Sequence, residues 1–207
     1  MHGRAPTMRG MSPLRIVLTL VLATTGEAPS ERQVALMIRE ADAIWRPHGV
    51  AVALEGRGGP ALPIPGAELP LALRFADPPA ARLGRLGAVR LVHGVPERSL
   101  DIVAADVSTL VGQAVWHGRR VDEWPATMVD QIKGRALGRV LAHELGHFLL
   151  ASPVHTRIGL MRAGFTARDL ASADRRPFQV NREYLPRLGA RLDRLRPSLA
   201  NAALEQP

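Results

Sequence analysis

Two histidines four residues apart, with a glutamate directly after the first, stand at His143-Glu144-Leu145-Gly146-His147, and another histidine follows at His155. Residues four apart share one face of a helix. His143 and His147 can therefore present two imidazole nitrogens to one metal ion. A catalytic zinc site takes three protein ligands and a water, and the ion brings that water's pKa down to about 7. Glu144 projects beside the pair. It would accept the water's proton during attack on a carbonyl and pass it to the leaving amine. His155 follows Pro153, so a loop after the helix can bring it back as third ligand. Asp169 and Glu183, on later segments, are the carboxylate alternatives. The competing reading of the pair is two surface histidines on an amphipathic helix. Around this stretch, Arg139 lies one turn before His143, and Arg162 lies shortly after it. Either could hold a substrate carbonyl or carboxylate, or simply be solvated. Trp116 and His117 are candidates for a pocket wall, and Tyr184, the only tyrosine, for an oxyanion donor.

These side chains need a scaffold. The spacing predicts a long helix over 129–151 with Leu137, Val140, Leu141, Leu145, Phe148 and Leu149 on a broad apolar face. Gly134, Gly138 and Gly146 each cost about 1 kcal/mol there relative to alanine, which points to close packing against a neighbouring backbone. Pro153 ends the helix. Upstream, the apolar run 14–23 reads as a buried strand closed by Thr24-Thr25-Gly26. Its other reading is the h-region of a signal peptide, behind Arg4 and Arg9. A helix over 30–45 capped by Ser30 follows, then a strand over 50–54. Strand, helix and strand in that order predict a parallel βαβ unit. A Gly/Pro-rich loop covers 56–70. Further strands are expected at 71–76, 89–93 and 102–107, with a break at Asp77-Pro78-Pro79, a turn at 94–96, a helix starting near 108 and a loop over 118–125. A short helix capped by Thr166 and a terminal helix over 181–195 complete the pattern. One domain over 13–196 is expected, divided at 151/152, between a disordered tail over 1–12 and a frayed tail over 197–207.

Composition narrows the classes. The 207 residues are 46% hydrophobic, enough for one substantial core, and contain no cysteine, which excludes thiolate ligands, thiol nucleophiles and disulfides. The net charge of +8 comes from arginine, since Lys133 is the only lysine. The arginines are scattered and few aromatics accompany them, so nucleic acid is not expected as a partner. No apolar run is long enough to span a bilayer. Taking 14–23 as a strand favours a cytoplasmic location; taking it as an h-region means export.

The stretch from His143 to Met161 resembles the metzincins, zinc metallopeptidases with H-E-x-x-H-x-x-G-x-x-H and a downstream methionine turn. His143, Glu144, His147, His155 and Met161 carry the resemblance. Gly159-Leu160-Met161 looks like the turn, and small bacterial zincins are the nearest in kind. Leu150 stands at the family's glycine and Pro153 at its third histidine, with His155 two residues later; Ala151-Ser152-Pro153 would then make the turn after the helix. The resemblance implies a zincin-like α/β (α+β) fold, with a twisted mixed sheet, a backing helix, an active-site helix and a small C-terminal part. It implies a zinc metalloendopeptidase with one ion, acting on a peptide or protein substrate. Met161 would floor the site. The strand at 102–107, including Ile102, Val103 and Ala104, would be the edge along which a peptide binds. Other readings are a non-catalytic zincin-fold protein that binds metal or a partner, and a basic nucleic-acid-binding module.

Overall fold

The computed structural model describes residues 14–21, 28–55, 68–76 and 86–204. The expected N-terminal tail, the closing turn at 24–26, most of the loop over 56–70, the break at 77–79 and the last three residues lie outside this set.

The apolar run forms strand β1 (Leu14–Val21), and helix α1 (Glu31–Trp45) follows it. Ser30 and Gln33 close a reciprocal capping box at the start of α1: each side chain bonds the other's backbone N–H. Strand β2 (Val50–Leu54) then pairs parallel with β1, as the βαβ reading expects. Strand β3 (Glu68–Phe75) begins three residues earlier than the expected strand at 71–76. Its alternation is regular, burying Leu69, Leu71, Leu73 and Phe75 while Glu68, Pro70 and Arg74 face out.

Strands β4 (Gly87–Val92) and β5 (Val95–Ile102) form a hairpin turned at His93-Gly94. The sheet order is β2-β1-β3-β5-β4, parallel throughout except for the antiparallel β4. The sheet is therefore mixed, as expected, but its cleft-side edge differs from the expected one. Residue 102 ends an interior strand, and Ala104–Gly112 is a helix, α2. Ile102, Val103 and Ala104 are buried and line no cleft. The run contains both an alternating and a helical apolar pattern, since Ala104, Val107 and Val111 also fall on one helical face. Short apolar runs do not separate the two by periodicity.

Between α2 and the next helix, the expected loop holds a small two-stranded ribbon, β6 (Val115–Trp116) with β7 (Arg119–Arg120). Helix α3 (Ala126–Leu150) starts at Pro125, before the expected residue 129. Proline sits easily at a helix start because the N–H it lacks has no partner there. Helix α4 (Ala167–Ala171) carries the expected Thr166 cap, closed reciprocally by Asp169. Helix α5 (Leu185–Leu204) runs past the expected boundary at 196.

Helix α3 is held between α1, the β4–β5 hairpin and α2. The glycines do what their cost suggests. A Cβ on Gly138 would lie 2.6 Å from the Met37 carbonyl and the Glu40 Cβ, and one on Gly134 would lie 2.6 Å from the Leu36 Cβ. The α1–α3 seam is thus too close for any side chain, and α3 is fixed in rotation and height. No helix among the described residues is long and apolar enough to cross a membrane.

Candidate metal centre

His143 and His147 face a cleft of about 1060 Å³ and are nearly fully buried. His155 reaches the same point from the loop after α3. The helix ends because Ala151 takes a left-handed conformation, φ 45°, which reverses the chain at the expected place. The loop is then pinned by pairing of Thr156 with Met161, whose carbonyl accepts the Thr156 N–H at 2.8 Å. The three rings meet closely. His147 Nε2 is 3.0 Å from His143 Nε2 and 3.2 Å from His155 Nε2.

Two backbone carbonyls set which nitrogens point inward. His143 Nδ1–H donates to the Leu160 carbonyl and His147 Nδ1–H to the Ser152 carbonyl, both at 2.7 Å. A carbonyl only accepts, so the proton of each neutral ring lies on Nδ1 and the Nε2 lone pair faces the cluster. Burial pulls the His143 imidazole down to about 4, aided by the neighbouring histidines and opposed by the Leu160 carbonyl. At neutral pH that ring is an uncharged donor. Lone pairs converging at 3 Å repel unless a cation lies among them. Three imidazoles so arranged could hold a metal ion, and among the described residues these three form the only such group. The donor chemistry therefore fits a metal.

Met161 is buried. Its sulfur lies against Gly146, between the two helical histidines in sequence, where any added Cβ would collide with it. Trp45 Nε1–H donates to the Ala142 carbonyl at 3.0 Å, tying α1 to the residue before His143. The Phe165 ring meets His143 edge-on at 5.6 Å and stacks on Phe178 at 4.9 Å.

Glu144 lines the same cleft and is buried. Gly87, on the edge strand β4, lies against it. A Cβ there would stand 2.8 Å from both Glu144 Cγ and Oε1. Leu86, Ala88, Val89 and Leu91 continue the cleft wall along β4.

The other sequence candidates separate. Arg162 does line the cleft, ion-paired to Asp169 at 2.6 Å and lying 4.4 Å above the Phe165 ring. Arg139 does not. It is fully buried and bonds Glu40 at 3.2 Å and the carbonyls of Asp169, Leu170 and Asp174. Its long side chain fastens the chain after the loop onto α3 instead of reaching a substrate. Asp169 is occupied by Thr166 and Arg162, and Glu183 lies with Asn181 outside the histidine cluster. Neither belongs to the donor group. Trp116 and Tyr184 pack on the core, and His117 sits near Trp124; none lines the cleft. Sequence reasoning missed Gly87 and the cleft-facing side of α2. A glycine opening a strand carries no local mark, and the expected strand over 102–107 takes in the first turn of α2, including Asp106, while a helix is expected only from about 108.

Comparison of the chain with protein-family models, with curated proteins and with solved structures gives no match.

Proposed function

We propose that this protein is a zinc-dependent peptidase with a metzincin-like site. The observation that carries the reading is the convergence of three imidazole Nε2 atoms with the Glu144 carboxylate in one cleft beside β4, the last strand of the sheet among the described residues. Zinc–nitrogen bonds near 2.05 Å at tetrahedral angles put ligand nitrogens about 3.3 Å apart. The observed 3.0 and 3.2 Å spacings suit that ion. His143, His147 and His155 would hold it, and Leu160 and Ser152 would orient two of the rings through Nδ1.

Zinc bound there supplies a Lewis acid for the scissile carbonyl and an acidified water as nucleophile. Glu144 takes the proton released in the attack and delivers it to the leaving nitrogen. Its low exposure keeps bulk water from competing for that proton. Gly87 leaves the space in which the carboxylate sits. Strand β4, at the end of the sheet, offers backbone groups to an extended peptide, which would lie across the cleft by strand addition. The arrangement of a five-stranded sheet, α1 behind α3 and a short C-terminal part is compatible with a zincin-like fold.

The test is metal analysis and hydrolysis of a quenched fluorescent peptide library by the full chain. One tightly held zinc per chain and cleavage abolished by a chelator are expected, with zinc lost in His155→Ala. Zinc without cleavage would mark a metal- or partner-binding protein. Full zinc content in His155→Ala would remove the third ligand.

A further inference from the structure

Helix α2 forms the cleft wall that the peptidase reading leaves without a task. Its two sides differ in kind. Ala104, Val107 and Val111 pack into the core, while Asp106, Thr109, Leu110 and Gln113 line the cleft. Those four positions recur at helical spacing, so they form one stripe along α2. The stripe is mostly polar, in a cleft whose other walls are the β4 residues, Val140 and the segment from Arg162 to Phe165.

The charges in this cleft are unevenly paired. Among the described residues that line the cleft, Arg162 is the one arginine or lysine, and Asp169 already neutralises it at 2.6 Å. Glu144 stands beside the metal ligands. That leaves Asp106, half-buried, with no hydrogen bond or ion pair to any side chain among the described residues. The chain carries a net charge of +8, yet no arginine among the described residues is placed on this carboxylate. In a partly desolvated cleft an unpaired carboxylate attracts a cation more strongly than it would in open water. Thr109 and Gln113, one and two turns further along the stripe, add neutral hydrogen-bonding groups beside it.

We infer that the α2 wall recognises a basic side chain of the bound peptide, with Asp106 as the specificity-determining residue and Thr109 and Gln113 as neutral partners. This rests on the peptidase reading for the claim that the bound peptide is a substrate. It does not rest on that reading for the recognition itself. The leading partner is thus an extended peptide with arginine or lysine near the residue that faces the histidines.

Binding and cleavage test the two claims separately. Blocked fluorescent hexapeptides of alanine carrying one arginine, one glutamate or one norleucine are titrated against the full-length Glu144→Gln protein by anisotropy. The arginine peptide is expected to bind about tenfold tighter than the norleucine one, at the low end for close charge pairs across an interface. Asp106→Asn should abolish that preference, Asp106→Glu should keep it and Asp106→Arg should turn it toward glutamate, all with unchanged metal content. Equal binding of the three peptides, no binding of the arginine peptide, or a preference that survives in Asp106→Asn overturns the inference. Cleavage is read with the wild-type chain. If the arginine preference depends on Asp106 but no peptide is cut, recognition stands and the peptidase reading falls.

Discussion

Helix α3 carries two buried polar clusters on different sides, and they are built on opposite principles. Toward α1, Arg139 meets Glu40, Arg175 joins the same carboxylate at 2.7 Å, and three backbone carbonyls accept three more of the guanidinium hydrogens. Donors face acceptors, and the cluster is closed. Toward the cleft, His143 and His147 aim Nε2 lone pairs at one another, and the His155 ring closes on the same point. Burial acts on both. It pulls Arg139 down to about 10, yet the guanidinium keeps its charge at neutral pH because Glu40 lies opposite. It pulls His143 to about 4, opposed by the Leu160 carbonyl. The first cluster is complete within the chain and holds structure together. The second is a group that could hold a metal ion. Buried donors set against acceptors thus mark a structural cluster, and buried ring nitrogens turned toward one another mark a candidate metal site.

Substitutions should separate the two clusters. The largest effect is expected for Glu144→Gln: kcat/KM on the library peptides should fall by about 10³-fold, within the range for losing a general base, while zinc content stays at the wild-type level. Activity within tenfold of wild type would break the assignment of Glu144. On the closed side, Arg139→Met should cost about 3 kcal/mol of stability in urea unfolding, because Glu40 keeps its burial with only the half-exposed Arg175 left to pair with. Zinc stoichiometry of the folded fraction should not change. A stability loss below about 1 kcal/mol would show that the pair does not hold the C-terminal part. The smallest effect, and the sharpest for the site, is Gly87→Ala. The added methyl must displace the Glu144 carboxylate, so kcat should drop by about tenfold, roughly the effect of misplacing a catalytic group by part of an ångström. KM and zinc content should hold. A larger fall in stability than in kcat would mean that β4 moved instead of Glu144.

Much of this was legible in the chain. The strand at 14, the Ser30 and Thr166 caps, the parallel βαβ unit and the close packing at Gly134 and Gly138 all follow from rules acting within a few residues, and the structure carries each. The misreadings share one cause. Whether 104–107 is strand or helix, and which strand ends the sheet, depends on partners far away in sequence. Counting one turn from His143 puts Arg139 near the histidine cluster, but a side chain that long goes where acceptors are. Those acceptors, Glu40 and the carbonyls at 169, 170 and 174, are brought there only by folding.

The amino-acid sequence by itself determined the helical half of the site. Helix geometry alone puts His143 and His147 on one face with Glu144 beside them, because a four-residue spacing needs nothing but the turn of the helix. Tertiary structure alone decided the rest. It brought His155 within 3.2 Å of His147, set the inward nitrogens through the Leu160 and Ser152 carbonyls, and placed Gly87 and Asp106 on the cleft walls. Each of those depends on a loop closing or a strand finding its neighbour, and such long-range pairings are settled by the whole core rather than by any local spacing.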